Sequence, residues 1–393
     1  GGSTVQGRPY STETAFSTWL QLRLQAANPL LSFEVVNCGG VSYASYRVSK
    51  ILDELLQHQP DAIVLYTGHN EFLEDRTYAD VRSMGAATRV VTGLAGKLET
   101  VRWLRERLAV APIEATELAS EVNARLDHSE GLASYVRDPV WQANVERHFA
   151  DTFQRMVVTA GQAGVPLLVC LPAGDLVNTP PIKTADRPGL DPTQLSRFRA
   201  HWNRATDAAV NRNARLNASL TCLEIDPEHA GAHFVTGRLY LDRGELDLAI
   251  RHLVAARDHD VCPLRATSAI TQAIGEISRQ HELPMIDTVG LFDQRDRSGA
   301  KRPDGLVDPE LFVDHVHPTI AGHQQLAAAI ANAVRIAGLF DLADGDEVEQ
   351  QYERLADQQL RSLGEEYYAR GQQRLAGLRL WVSGRAGEVG ISP

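Results

Sequence analysis

The fold of this chain is decided by the stretch Pro60-Asp61-Ala62-Ile63-Val64-Leu65-Tyr66-Thr67-Gly68-His69-Asn70-Glu71. Residues 60–66 predict a strand buried on both faces of a parallel sheet, because the run from Ala62 to Tyr66 is continuously apolar. Small and polar residues follow this run directly. Ligands collect at the carboxyl ends of strands in α/β sheets, so residues 67–71 are candidate functional residues.

Apolar runs elsewhere predict three more buried strands. They cover 33–37, 165–171 and 284–289. Helical periodicity accompanies them at 11–24, 48–55, 149–163 and 321–337. Strands that alternate with helices predict an α/β fold, a doubly wound parallel sheet in three layers with helices on both faces.

Two helical segments interrupt that alternation. Residues 82–145 are polar, lack a strand pattern and follow the Asn70 loop, which predicts a helical lid. Between the third and fourth strands, small and apolar residues have the spacing of a tetratricopeptide unit, at Gly237, Tyr240, Gly244, Ala249, Leu253 and Ala256. Because one such unit cannot bury its own apolar face, a helix over 198–220 is expected to pack against it.

The predicted domain boundaries follow from these interruptions. Residues 1–175 and 266–340 form two parts of one α/β domain, and residues 176–265 form an all-helical insertion between them. Residues 341–393 form a charged helical tail, whose apolar stripe indicates packing or assembly.

Composition excludes several classes of protein. The 393 residues include 39 Lys and Arg against 50 Asp and Glu, and a net charge of −11 argues against electrostatic binding to nucleic acid. The four cysteines have no Cys-x-x-Cys spacing, which indicates neither a disulfide framework nor a zinc site. No run of about 18 apolar residues occurs, so no membrane span is expected.

The residues with the strongest chemical pattern lie at the two ends of the α/β part. Asp314 and His317 are three residues apart on a predicted loop, where a carboxylate can orient an imidazole general base. Such a pair requires a nucleophile, and Ser3 lies in a glycine-flanked turn of the kind that exposes a hydroxyl. Two simpler interpretations remain open: Asp314 caps the helix that starts near Pro318, and Gly1-Gly2-Ser3 is an engineered linker.

Four separated blocks together resemble the SGNH hydrolase superfamily, the GDSL-type esterases and lipases. They are residues 1–7, 37–45, 68–71 and 314–317, in the order that the family uses. The resemblance covers residues 1–175 and 266–340, and the insertion resembles a subgroup that carries a tetratricopeptide-like unit. It implies that Ser3 is the nucleophile, that His317 is the general base and that Asp314 orients His317.

The resemblance also implies an oxyanion hole. Its donors would be the Ser3 amide, an amide of the second block and the Asn70 side chain, which would stabilise the charge on an attacked carbonyl. An ungapped match places Ser42 at the usual donor glycine, and Gly40 is the alternative donor if the turn is shifted. Two further departures, at positions where the family commonly has Asp, are Gly2 and Glu71.

No metal or cofactor site is predicted. Asp314, His315 and His317 lie too close together on one loop to converge on a metal ion without a distant further ligand. The glycines of the first block are not a phosphate-binding loop, because no Gly-Lys-Ser or Gly-Lys-Thr follows them.

We therefore expect a serine esterase that cleaves an O-acyl ester, on a small molecule or a saccharide, through an acyl-enzyme on Ser3. Arg265 and Asn178, near the junctions of the insertion, are candidate substrate contacts, unless Arg265 only pins the insertion through an ion pair. Two other functions remain open. One is an O-acyltransferase that passes the acyl group to a saccharide, and the other is a non-catalytic module that binds a protein partner through the helical repeat.

The compartment is left open. A strand is expected to lead into Ser3 from before Gly1, and a signal peptide or anchor could precede that strand. A periplasmic or membrane-anchored location is compatible with the sequence.

Overall fold

The centre of the molecule is a parallel β-sheet. The computed structural model describes residues 1–74, 122, 124–127, 129–292 and 306–386. In these residues the sheet has three strands, β1 (Ile63–Leu65), β2 (Leu167–Cys170) and β3 (Met285–Ile286), in the order β1-β2-β3. Residues 63–65 align with 167–169, and residues 169–170 align with 285–286.

Helices surround this sheet. In the described part of the chain they are α1 (Ser3–Gln6), α2 (Phe16–Ala27), α3 (Ser45–Leu55), α4 (Pro139–Gln162), α5 (Pro192–Thr206), α6 (Arg212–Ile225), α7 (Ala230–Asp242), α8 (Leu246–Asp258), α9 (Ser268–Gln280), α10 (Thr288–Leu291), α11 (Ile320–Ile336), α12 (Asp346–Ser362) and α13 (Glu365–Ala386).

The sheet separates two hydrophobic cores. Successive side chains of a strand point to opposite faces, so Leu167 and Val169 pack with α3, α4 and α9, whereas Leu168 and Cys170 pack with α2, α11 and α12. All four side chains are buried. The continuous apolar run of β2 is explained by this burial on both faces, and the predicted α/β fold with a parallel sheet is confirmed.

The strand predicted at 33–37 is wrong. This segment forms no strand and has no ladder partner among the described residues. The Val35 amide instead donates to Gln21 Oε1 at 2.9 Å, and Val36 is 66% exposed. The apolar run did not form a strand, because the Gln21 side chain accepts the hydrogen bond from the Val35 amide that a neighbouring strand would have accepted.

The fourth predicted strand is shorter than expected. It covers residues 285–286 rather than 284–289, because Asp287 Oδ1 accepts a hydrogen bond from the Gly290 amide and begins α10. The crossover helices α4 and α9 both pack on one face, so the described strands wind in a single direction. The doubly wound order is not seen in the described residues.

Residues 176–265 contain the helices α5 to α8, and the first helix predicted there is not continuous. The predicted helix over 198–220 is two helices, α5 and α6, because Asn211 Oδ1 accepts from the Ala214 amide and starts a new helix. Helices α7 and α8 form a hairpin that turns at Gly244, where φ is +75°. Assignment of this hairpin to the tetratricopeptide class stays a prediction.

The base of the insertion is embedded in the main core. Ile182, Val261, Cys262 and Leu264 pack in the cluster that contains α3, α4 and α9. Asp260 accepts hydrogen bonds from the amides of residues 182 and 183, at 2.6 and 2.9 Å. The two junctions of the insertion are therefore held together at the sheet, and the predicted domain boundaries stay predictions.

Most of the predicted lid, 82–145, lies outside the described residues. The exception is its end, because α4 begins at Pro139 rather than near 149, with Asp138 accepting hydrogen bonds from the amides of Val140 and Trp141. Residues 139–145 thus belong to a crossover helix, which packs on the sheet, and not to a lid.

The tail packs against the α/β part. The Arg23 guanidinium of α2 lies 3.7 Å from the centre of the Tyr352 ring of α12 and also forms an ion pair with Glu349 at 2.9 Å. In the described residues, no helix has the length and apolarity needed to cross a membrane.

Candidate active site

The first block forms a tight turn at the carboxyl end of β1. Gly2 is the N-cap residue of α1 and Ser3 is the first residue of that helix. The carbonyl of Gly1 accepts a hydrogen bond from the Gly40 amide at 3.1 Å, and Thr4 Oγ1 donates to the carbonyl of Val316 at 3.2 Å. The residues around Ser3 are therefore packed within the fold on both sides.

Ser3, His317 and Asp314 form a continuous chain of hydrogen bonds. His317 Nε2 lies 2.7 Å from Ser3 Oγ, and His317 Nδ1 lies 2.7 Å from Asp314 Oδ2. The Ser3 residue is 9% exposed, and the side chains of His317 and Asp314 are 6% and 5% exposed. The fold thus brings Ser3 into contact with His317, which lies 314 residues later in the sequence.

The Asp314 carboxylate is held in its charged form. Burial alone would raise its pKa, but the imidazoles of His317 and His315 and the hydrogen bonds that it accepts hold the pKa well below its usual range. Its Oδ1 accepts from the amides of Val316 and His317 at 3.0 and 2.9 Å. An ionised carboxylate can only accept, so the proton of neutral His317 lies on Nδ1 and its Nε2 lone pair faces Ser3.

Asp314 does not cap the following helix. The N-cap residue of α11 is Thr319, whose Oγ1 accepts from the Gly322 amide at 3.2 Å. The simpler interpretation of Asp314 as a helix cap is therefore wrong, because a different residue supplies that hydrogen bond.

Asn70 and Gly2 are in close contact. A Cβ at position 2 would collide with the Asn70 amide nitrogen. That nitrogen donates one hydrogen bond to the carbonyl of Tyr43 at 3.1 Å. Since an amide nitrogen carries two hydrogens, Asn70 has a second donor beside the Ser3 turn. The glycine at position 2 permits this approach.

The two second-block candidates differ in their backbone. The Gly40 amide already donates to the Gly1 carbonyl, so it is occupied. Ser42 has φ +61°, in the left-handed region that favours glycine. A non-glycine residue at such a φ is uncommon. Of the two amides, that of Ser42 is the better candidate donor.

His315 and His69 lie near this chain of hydrogen bonds but outside it. His315 Nδ1 is 3.6 Å from Asp314 Oδ1, and burial lowers the pKa of His315 to about 4. His69 Nδ1 accepts from the Ala266 amide at 3.1 Å. Burial, followed by the charges of His315 and His317, lowers the pKa of His69 to about 3. Both imidazoles are neutral at ordinary pH.

Metal binding has no support in the geometry of these side chains. Within the described ranges, no group of three or more His, Cys, Asp or Glu side chains is arranged to hold a metal ion.

The structure assigns Arg265 to the junction of the insertion. Its Nη1 donates to the main-chain carbonyls of Asp175 and Thr179, at 2.7 and 2.9 Å, and the residue is 4% exposed. Asn178 donates to Asp175 Oδ2 at 2.9 Å. These hydrogen bonds fasten the junction of the insertion through carbonyls, and Arg265 has no ion pair within the described part of the chain. A role of either residue in substrate binding stays a prediction.

Three contacts around the site were not anticipated from the sequence. They join Glu71 to Ser45, Thr4 to Val316, and His69 to Ala266. Each connects segments that are distant in sequence, so no local spacing reveals it. For His69 and Glu71 the sequence signal is a polar residue directly after an apolar strand.

No protein-family model and no curated protein sequence matches this chain. Among solved structures, the chain is similar to an alpha/beta hydrolase enzyme from the metagenome of Lake Arreo, Spain. The sequence identity is 12% and the TM-score is 0.36, over 85% of this chain and 92% of that chain.

Proposed function

We propose that this chain is a serine hydrolase that cleaves an O-acyl ester through an acyl-enzyme on Ser3. The observation that carries the proposal is the unbroken hydrogen-bonded chain from Ser3 Oγ through His317 to Asp314, with both contacts at 2.7 Å. A hydroxyl that faces an imidazole lone pair, which a buried carboxylate orients, has the arrangement of an activated nucleophile.

Acylation follows from this arrangement. Ser3 Oγ attacks the ester carbonyl while its proton moves to His317 Nε2, and Asp314 stabilises the imidazolium that results. The tetrahedral intermediate then collapses. Its C–O bond to the alcohol breaks, and the departing alkoxide takes the proton from His317 Nε2, which leaves an ester on Ser3.

The negative charge of the intermediate requires fixed donors. The Ser3 amide is at the start of α1 and has no acceptor within the helix. Together with the second Asn70 hydrogen and the Ser42 amide, it would supply three donors. Removal of a single donor of this kind typically costs about 2.7–4 kcal/mol of transition-state stabilisation.

Deacylation repeats these steps with water. His317 Nε2 takes a proton from water as the oxygen attacks the acyl carbonyl. Collapse of the second intermediate breaks the bond to Ser3 Oγ, which recovers the proton from His317. The products are a carboxylic acid and the free enzyme, so no cofactor is consumed.

The test is hydrolysis of p-nitrophenyl acetate by the parent and by Ser3→Ala. We expect the parent to hydrolyse the ester and Ser3→Ala to lose at least about a thousandfold in kcat. Ser17→Ala is the matched control, because Ser17 is also buried and accepts a hydrogen bond, from Asn37 at 2.8 Å. Equal rates for the parent and Ser3→Ala would refute the proposal.

The other two functions stay predictions. An O-acyltransferase would show faster breakdown of the acyl-enzyme when a saccharide acceptor is added, whereas a hydrolase would not. A non-catalytic binding module would show no turnover that depends on Ser3.

A further inference from the structure

Glu71 is a buried carboxylate directly after the candidate oxyanion donor Asn70. It is 4% exposed and has no ion-pair partner among the described residues. Its Oε1 accepts from the Ser45 amide at 2.9 Å, and its Oε2 accepts from Ser45 Oγ at 2.7 Å. Burial raises the pKa of Glu71 to about 7, against the lowering effect of these two hydrogen bonds. Burial of a carboxylate without an ion-pair partner lowers the stability of the fold, yet the structure has one at this position.

Both hydrogen bonds go to the first residue of α3. The N-cap residue of this helix is Ala44, whose side chain has no oxygen to cap it. Glu71 accepts the Ser45 amide in its place, although it lies 26 residues further along the chain. A local cap would stabilise α3 equally well without any connection to the sheet. The distant cap therefore does something more, which is to fix the start of α3 to the end of β1.

The segment fixed in this way carries a candidate oxyanion donor. Ser42 lies three residues before Ser45, in the left-handed conformation described above. Tyr43, the next residue, accepts the hydrogen bond from Asn70 at 3.1 Å. Asn70 and Glu71 thus hold the same short segment from two adjacent positions, one through its Tyr43 carbonyl and the other through Ser45.

A second carboxylate grips the same helix but at a different point. Glu74 forms a buried ion pair with Arg47, with Arg47 Nη2 at 2.8 Å from Glu74 Oε1. This pair holds α3 against the turn that follows β1. The Arg47 guanidinium approaches the Ser42 segment at 5.8 Å from the centre of the Tyr43 ring, which leaves the Ser45 amide to Glu71. Glu71 is consequently not needed simply to keep α3 in place.

We propose that Glu71 is a positioning residue for the oxyanion hole. Its two hydrogen bonds to Ser45 set the distance between the Ser42 amide and the Asn70 side chain, so that both donors reach the same oxygen. This inference rests on the proposed serine hydrolase function. It assigns Glu71 no contact with the substrate, and it places the effect of Glu71 in the transition state rather than in substrate binding.

The inference makes a distinct prediction for three variants. Glu71→Ala removes both acceptors and should lower kcat by about tenfold or more while KM changes by less than about threefold. Glu71→Gln keeps an oxygen for the Ser45 amide and offers an N–H to Ser45 Oγ, so it should retain about half of the parent kcat. Ser45→Ala removes one of the two bonds and should have an intermediate kcat.

A double-mutant cycle separates positioning from folding. If Glu71 acts through the oxyanion hole, Glu71→Ala should cost less than about threefold in kcat when Asn70 is already Ala, because that hole is already incomplete. A loss of folded protein would lower activity by the same factor in both backgrounds. Asn211→Ala, which removes the cap of α6 in the insertion, is the matched control and should leave kcat unchanged.

The experiment measures kcat and KM for p-nitrophenyl acetate. A fluorophosphonate that labels Ser3 gives the concentration of competent active sites.

Labelling of the parent shows whether the proposed function stands. If the parent is not labelled, both that function and this inference fall. If the parent is labelled, a parent-like kcat in Glu71→Ala overturns the inference alone. The inference is also overturned if Glu71→Ala and Asn70→Ala lower kcat additively in the double-mutant cycle. The same holds if Glu71→Gln lowers kcat as much as Glu71→Ala does. If Glu71→Ala does not fold, Ser45→Ala decides, and an unchanged kcat there overturns the inference.

Discussion

Replacement of Asp314 by Asn tests the tautomer on which the proposed mechanism depends. In the parent, Asp314 Oδ1 accepts the amides of Val316 and His317, and Oδ2 accepts from His317 Nδ1. The Asn oxygen can keep the two backbone amides, but its NH₂ group then faces Nδ1. His317 must accept there, so its proton moves to Nε2 and no lone pair remains for Ser3.

The size of the loss follows from the alternative orientation. If the Asn side chain flips so that its oxygen accepts from His317 Nδ1, two buried backbone amides face an NH₂ group. Each amide that is left without an acceptor costs about 1–3 kcal/mol, so the flip costs about 2–6 kcal/mol. At about 1.4 kcal/mol per tenfold, and with the charge that stabilises the imidazolium also removed, kcat should fall by about 10³–10⁴.

The assay is steady-state hydrolysis of p-nitrophenyl acetate, with thermal unfolding measured on the same samples. Asp175→Asn is a matched control, because Asp175 Oδ1 accepts the amides two and three residues ahead, at 2.9 and 3.0 Å, as Asp314 does. Among the described residues no imidazole is hydrogen-bonded to its carboxylate, so we expect its kcat within about threefold of the parent. A loss of less than about tenfold in Asp314→Asn, or an equal loss in Asp175→Asn, would refute the argument.

Substitutions at Asn70, His317 and His323 test three other features of the molecule. Asn70→Ala should lower kcat by about a hundredfold or more with KM little changed, and a rise in KM alone would make Asn70 a substrate contact. His317→Ala should abolish nearly all esterase activity, whereas His315→Ala should lose little; equal losses would mean that the wrong imidazole was assigned. Burial lowers the pKa of His323 to about 3, so the unfolded state binds more protons below about pH 6.5 and stability should fall as pH falls. In urea unfolding, the stability lost between about pH 7 and pH 5 should be about 2 kcal/mol smaller for His323→Leu than for the parent, and an identical loss would contradict the assigned titration.

The parts of the fold that the sequence predicted are those with strong local patterns. The runs that became β1 and β2 are apolar on both faces, and both faces are covered, so pattern and burial agree. The segment 33–37 has a similar pattern but meets solvent at Val36. Whether an apolar run is covered depends on distant segments, which no local pattern contains.

The candidate site was predictable to the extent that its residues have characteristic neighbours. Ser3 lies among glycines, and Asp314 precedes His317 by three residues, so both could be singled out before any geometry was known. The role of Gly2 could not, because it depends on the approach of the Asn70 side chain. Glu71 was noted only as a departure from a pattern, because its partner Ser45 is set by the packing of α3 on the sheet.

In the proposed mechanism, Ser3 is a nucleophile that His317 activates. Intact-mass spectrometry after treatment with a fluorophosphonate, followed by peptide mapping, tests it most directly. We predict one phosphonyl group per chain, located on Ser3, with labelling absent in Ser3→Ala and slowed by at least about a hundredfold in His317→Ala. An unmodified parent chain, or an adduct of the same mass in Ser3→Ala, would contradict the claim.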